Sequence, residues 1–381
     1  MYDVMVIGAR CAGSPTAMLL ARRGHKVLLV DRATFPSDTM STHFVQIPGV
    51  ARLRRWGLLD EVAATGCPPI TKGRLNIGGE EVGAEFPFPD GIPGLFAPRR
   101  TVLDKILVDA AVDAGAELRD GVFIDSLSFD DGRVVGAEGH TSEGSFFAGA
   151  KVVIGADGRN SVVAKAVGAE YREYTPPLGC GYYAYFSGVE CDEAELYLHD
   201  ETFSAVFPTN DGLTTVAIGF PRERFKDIRT DPLKHLLDAA DRLGSLGGRL
   251  RAGKVEGKMI GMADLANYIR TSHGSGWALV GDAAYQKDPT PADGITDAFR
   301  GAELLADALD RALCGEASED EALRSYQESL EKASKPLLDL TVTMSSFDNS
   351  PADRANAFFE LGGVHERELH EVLSTGEAAV A

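Results

Sequence analysis

Apolar positions along this chain follow two periods, and the switches between them mark its elements. Residues 5–7 form an apolar run, followed by the small and flexible stretch Gly8, Ala9, Arg10, Cys11, Ala12 and Gly13. Apolar residues then recur at helical spacing at Ala17, Met18, Leu20 and Ala21 until Gly24 stops the pattern. Residues 25–30 are a second buried run, ending on Asp31. This pattern predicts strand, tight turn, helix and strand, a βαβ unit with an acidic residue closing its second strand. Residues 34–46 are polar and irregular, so a long loop is expected before a helix over 49–56. Residues 74–88 alternate and are rich in glycine, which predicts short strands of a different sheet; the Pro/Gly-rich stretch 89–98 returns the chain.

A helix is expected over 100–114, then strands over 121–128, 133–138 and 144–148 with a hairpin turn at Asp130, Asp131 and Gly132. Residues 151–154 read as a buried parallel strand. From 179 to 220 the pattern is β-rich and antiparallel, with a turn at Asn210, Asp211 and Gly212. Beyond it come a helix over 231–243, a buried strand over 276–280 and a long helix over 294–313. Ser318 is placed to cap a further helix, with Glu319, Asp320 and Glu321 in its first turn. Ser350 and Pro351 start a short helix that Gly362 and Gly363 are expected to break, and residues 374–381 are expected to fray.

Composition narrows the classes. The 381 residues are 44% hydrophobic and 25% charged, enough for two domains with their own cores. A net charge of −19 argues against nucleic-acid or anionic-lipid partners. No apolar run is long enough to span a bilayer, and no signal-peptide pattern precedes the first strand, so a cytoplasmic location is expected. The five cysteines are scattered, with no paired spacing for zinc or a disulfide framework, so no metal is expected.

The candidate chemistry sits in three glycine-containing turns. Gly8 and Gly13 bracket the first, with Asp31 positioned for a ribose hydroxyl and the helix N-terminus for a pyrophosphate. Arg10 replaces the middle glycine of G-x-G-x-x-G; it either contacts phosphate or turns outward. Gly155, Asp157 and Gly158 form the second turn, after a buried strand. Gly281 and Asp282 form the third, and Pro289, Gly294 and Ile295 lead from it into the long helix. In open α/β sheets ligands bind at such strand ends.

In this order the three motifs resemble those of FAD-dependent monooxygenases of the aromatic-hydroxylase type, with the related geranylgeranyl-reductase-like and halogenase flavoproteins. Arg100, with Asp104, resembles the helix whose arginine approaches FAD. The resemblance implies an α/β fold: a Rossmann-like FAD-binding domain (1–73, 96–170, 268–315), an antiparallel β-sheet substrate domain (74–95, 171–267) and a C-terminal helical segment (316–381). It implies an FAD site built from Gly8, Arg10, Cys11, Ala12, Gly13, Asp31, Arg32, Thr42, His43, Gln46, Arg100, Val122, Asp157, Gly158, Asp282, Pro289, Gly294 and Ile295. Tyr285 stands where hydroxylases commonly have histidine, Ala164 stands where the second motif often ends in arginine, and W-x-W-x-I-P is absent.

The resemblance further implies an NAD(P)H-using monooxygenase. NAD(P)H would reduce the flavin, and a C4a-hydroperoxide formed with O2 would hydroxylate an aromatic or polycyclic small molecule. The alternatives are a flavin-dependent reductase or dehydrogenase acting on C=C or C–N bonds, a halogenase-like enzyme, and a non-catalytic FAD- and ligand-binding flavoprotein. Tyr183, Tyr185, Phe203 and Phe207 are candidate substrate contacts, although strand alternation lets only about half of the sheet's aromatics face one side. Two readings stand for His43, a flavin or substrate contact and a surface loop histidine. Cys11 reads as a small packing residue of the turn. No nucleophile–base pair or metal spacing appears, so no residue is assigned a catalytic role; a cofactor that carries the chemistry itself fits this.

Overall fold

A computed structural model describes residues 1–377. The first apolar run becomes the strand Tyr2–Ile7, in the interior of an eight-stranded sheet. It pairs in parallel with Val27–Val30 on one side and with Gly144–Gly155 on the other, so that Ile7 lies opposite both Val30 and Gly155. Trp277–Leu279 adds outside that strand, with Leu279 opposite Gly155. The tips of strands distant in sequence therefore meet along one carboxyl edge. All four residues of Val27–Val30 are buried, as expected for a parallel strand covered on both faces. The helices Arg100–Asp113 and Gly294–Leu313 both pack on the helix Gly13–Arg22.

The second sheet has seven strands, in the order Lys254–Met262, Gly179–Ser187, Thr214–Pro221, Thr202–Pro208, Ala194–His199, Lys72–Ile77 and Glu80–Glu85. The expected joining of the early glycine-rich strands occurs, through a parallel pairing of Lys72–Ile77 with Ala194–His199. Alternation then sorts the aromatics. Ala184, Phe186, Val216, Ile218 and Phe220 pack with Leu236, Leu243 and Leu250, under the helices Pro232–Ala240 and Leu246–Ala252. Tyr183, Tyr185, Phe203 and Phe207 belong to separate clusters on the opposite face. A third, three-stranded sheet (Tyr171–Thr175, Asn267–Arg270, Tyr285–Gln286) links the two larger ones. Its first strand is almost wholly exposed and lacks the apolar alternation that would have announced it.

The C-terminal region departs from expectation. Pro351–Glu377 is one helix that runs through Gly362 and Gly363. Nothing crowds Gly362, while Leu361, Leu369 and Val372 on either side are buried; their packing outweighs the ~1 kcal/mol helix cost of each glycine. Of the tail expected to fray, residues 374–377 are helical and 378–381 lie outside the described residues. Ser318 caps its helix as expected, accepting from the Glu321 N–H. Among the described residues, no helix is long and apolar enough to cross a membrane.

Candidate cofactor-binding site

The three glycine turns interlock. A Cβ on Gly8, at φ +106°, would lie 2.3 Å from the carbonyl oxygen of Ala156 in the second turn. One on Gly13 would lie 1.7 Å from the Gly8 carbonyl oxygen, and one on Gly281 would lie 2.6 Å from the Ala12 methyl carbon. Glycine is required because backbone from three distant segments converges here.

Above this junction is a cavity of about 840 Å3, within the size range of small-molecule and cofactor sites. Its wall includes Gly8, Arg10, Cys11, Ala12, Asp31, Arg32, Thr42, Arg100, Val122, Asp157, Gly158, Asp282, Pro289, Gly294 and Ile295. Three other residues singled out from the sequence lie behind it. Gly13 is the close-packed start of its helix. The Gln46 amide donates to the Pro291 carbonyl at 3.0 Å. His43 is fully buried, with Nε2 2.6 Å from the Tyr185 hydroxyl, so it is not a surface loop histidine. Desolvation, with Arg100 and Arg99 nearby, lowers its pKa to about 3 and keeps it neutral.

Acceptors are distributed along the cavity. Asp31 accepts the backbone N–H of Ala9 at 2.7 Å and of Ala33 at 2.8 Å, which fixes its carboxylate at the wall. Asp157 accepts the Val162 N–H at 2.6 Å through one oxygen, while its other oxygen has no partner. Asp282 is exposed to the lumen, and the partial desolvation imposed by the cavity walls raises its pKa to about 6. The helices Gly13–Arg22 and Gly294–Leu313 both begin at this edge. Hydroxyl acceptors combined with the positive N-terminal ends of two helices suit a ligand with sugar or ribityl hydroxyls and a pyrophosphate, so these residues fit FAD.

Arg10 is turned toward its own chain. Its guanidinium lies 2.6 Å from Asp104 and 2.7 Å from the Ser37 hydroxyl, tying the loop after the second strand to the Arg100 helix. Arg100 grips the same carboxylate through two bonds, of 2.8 and 3.0 Å. The Cys11 thiol also points at Asp104, 3.3 Å away, and burial raises its pKa, consistent with a packing role.

Of the four candidate substrate residues none lines the cavity, and all are buried. Tyr183 and Tyr185 cluster with Met262, against Met40 and Leu265, and these last three residues do line it. Phe203 packs with Leu75, Leu198 and Ala355, and Phe207 with Phe44, Ile70 and Leu95.

Sequence reasoning missed a buried ionic cluster beside the cavity. Lys287, in the wall, donates to Asp293 at 2.7 Å and lies 3.0 Å from Asp297. Arg300 bridges Asp297 to Glu368, and Arg52 also binds Glu368, at 2.6 Å. His365 reaches Asp293 at 2.9 Å. The only sequence signal was a set of charged residues at helix-core positions, indistinguishable from a solvated face. Away from the cavity, His25, Asp310 and Cys314 approach within 4.8 Å of one another, with Asp310 paired to His25 at 2.7 Å.

Comparison with known proteins agrees with this geometry. The chain is 27% identical over 329 residues to the 1H-pyrrole-2-carbonyl-[peptidyl-carrier protein] brominase of Pseudoalteromonas luteoviolacea, covering 82% of this chain and 78% of the relative. It is 27% identical over 344 residues to the digeranylgeranylglycerophospholipid reductase of Methanosarcina acetivorans, covering 87% and 80%. The fold matches that of PqsL, a probable FAD-dependent monooxygenase of Pseudomonas aeruginosa, with TM-score 0.81 at 20% identity over 94% of this chain and 99% of that one. The family model FAD_binding_3, described as FAD binding domain, matches residues 1–341, and the chain belongs to this family of FAD-dependent oxidoreductases.

Proposed function

We propose that the protein is an NAD(P)H-using flavin monooxygenase acting on an aromatic or polycyclic small molecule. One observation carries this reading: Met40, Met262 and Leu265 line the cofactor cavity and also pack against Tyr183 and Tyr185 of the second sheet. An apolar patch backed by two buried tyrosines therefore forms part of the cavity wall, where a flat electron-rich ligand would complete a water-excluding pocket. FAD, when bound, supplies electron transfer from NAD(P)H and activation of O2.

The chain's own residues bind and orient. Asp31 accepts an adenosine-ribose hydroxyl, Asp282 accepts a ribityl hydroxyl, and the first turn of Gly13–Arg22 faces the pyrophosphate. The residues of the first sheet form the cofactor domain and those of the second the substrate domain. His43 stays neutral and, through Tyr185, anchors the loop that carries Ser41 and Thr42 at the cavity wall. The test is NAD(P)H oxidation by the FAD-loaded protein across a panel of aromatic and polycyclic compounds. A fitting compound accelerates oxidation several-fold; uniform rates across the panel contradict ligand-gated monooxygenation.

A second reading is reduction of a C=C bond, favoured by the 27% identity to a digeranylgeranylglycerophospholipid reductase. Halogenation has similar support from the brominase. The lack of W-x-W-x-I-P argues against a tryptophan-halogenase type of the latter.

A further inference from the structure

The helix Gly294–Leu313 begins at the cavity with its N-terminal end, a site of partial positive charge. Two carboxylates stand in its first turn, Asp293 at the N-cap and Asp297 one turn on. An N-cap aspartate normally turns back to accept a helix N–H; the Asp293 side chain makes no such bond. It turns instead to Lys287 at 2.7 Å and to His365 at 2.9 Å. Asp297 is divided between Lys287 at 3.0 Å and Arg300 at 2.7 Å. The Lys287 side chain is only 3% exposed. Left unopposed, the two anions would cancel the positive end of the helix. Lys287 and Arg300 balance them and leave the first-turn N–H groups free toward the cavity.

We propose that Lys287 is the positioning cation of this cofactor site: held by Asp293 and Asp297, it preserves the positive end of the Gly294–Leu313 helix and so biases bound FAD toward its reduced, anionic form. Arg300 is itself held by Glu368 and cannot swing toward Asp293 without giving up that bidentate pair. Lys287 is thus the one member of the cluster that both lines the cavity and bridges the two carboxylates. The ammonium is a fixed charge, because burial, which lowers its pKa, is outweighed by the paired carboxylates, which raise it. The ring of Tyr285, in the third sheet, lies 5.8 Å from the ammonium to its centroid.

The inference rests on FAD occupying the cavity, and the test separates the two. FAD content is read from the absorbance of cofactor released on denaturation. The redox potential of each FAD-loaded protein is read by reductive titration against a dye of known potential. Lys287→Met lowers the preference for reduced over oxidised FAD at least about tenfold, a potential shift of roughly 30 mV to the negative side for a two-electron couple. Lys287→Arg stays within about threefold of the unsubstituted protein, and Asp293→Asn moves the potential the opposite way from Lys287→Met. A purely structural lysine would lower stability and leave the potential in place. The proposal is overturned if FAD-loaded Lys287→Met keeps its potential, if Lys287→Arg shifts as far as Lys287→Met, or if Asp293→Asn shifts to the negative side. Should Lys287→Met fail to fold, the positive shift expected of Asp293→Asn and the nearly unchanged potential expected of Lys287→Arg decide. Unsubstituted protein that neither carries nor takes up FAD overturns the cofactor reading and this one with it; loaded variants with unshifted potentials overturn only the role of Lys287.

Discussion

Glu368→Gln removes a charge while keeping the shape of the side chain that holds two buried arginines. Glu368 accepts from Arg300 at 2.8 and 2.7 Å and from Arg52 at 2.6 Å. All three residues are buried. Removing one partner of a buried charge cluster costs about 3–5 kcal/mol, because the remaining charges stay desolvated. The depressed pKa of Glu368 leads to a similar figure. Arg300 and Arg52 outweigh its desolvation and lower its pKa from the usual 4.5 to about 2. At ~1.4 kcal/mol per pH unit, that difference corresponds to roughly 3 kcal/mol of stability. The native pKa is depressed, so this contribution is complete above pH 4.5 and disappears as pH falls toward 2. Guanidinium unfolding followed by circular dichroism, at saturating FAD, should show Glu368→Gln less stable by about 3 kcal/mol or more at pH 7. The gap between the two proteins should narrow as pH falls from 4.5 to 2. A loss under about 1 kcal/mol at pH 7 would refute the reasoning, as it would place the pair among weakly coupled, solvated ions.

Gly13→Ala should abolish FAD binding or folding, since its Cβ would sit 1.7 Å from the Gly8 carbonyl oxygen; an FAD-replete, folded variant would contradict the packing. Asp31→Ala should weaken FAD by about 1–3 kcal/mol in a fluorescence titration, the cost of unmet buried hydrogen bonds, and unchanged affinity would remove the ribose assignment. Phe207→Ala should lower stability by about 3–5 kcal/mol while FAD remains bound, because the ring packs on Phe44, Ile70 and Leu95 away from the cavity wall; an unaltered melting curve with disturbed turnover would instead place it in the substrate pocket.

The βαβ unit was legible because it depends on neighbours in sequence. Gly8, Gly13 and Asp31 lie within one strand–helix–strand, and glycine spacing there carries its own steric meaning. The Gly155 and Gly281 turns were legible as strand ends, although nothing local says that Gly8 touches Ala156 or that Gly281 touches Ala12. Alternation along the second sheet anticipated that its aromatics would divide between faces. It did not say which of them would end beside the cavity, because that depends on how Met40, Met262 and Leu265 pack from outside the central strands. The charged cluster was illegible for a different reason. Arg52, Lys287, Arg300 and Glu368 each look like ordinary surface charges, and only the docking of the Pro351–Glu377 helix buries them together. The glycine pair at Gly362 and Gly363 misled because local propensity is outweighed by the burial of that helix.

Oxygen transfer to an organic ligand, the proposed function of this protein, is tested most directly by isotope incorporation. FAD-loaded protein, NAD(P)H and an aromatic compound that accelerates NAD(P)H oxidation are incubated under 18O2, and the product is analysed by mass spectrometry. The expected outcome is a hydroxylated product carrying one labelled oxygen atom, formed in step with NAD(P)H consumption. A product gaining two hydrogens and no label, or peroxide as the only reduced oxygen species with the ligand unchanged, would contradict it.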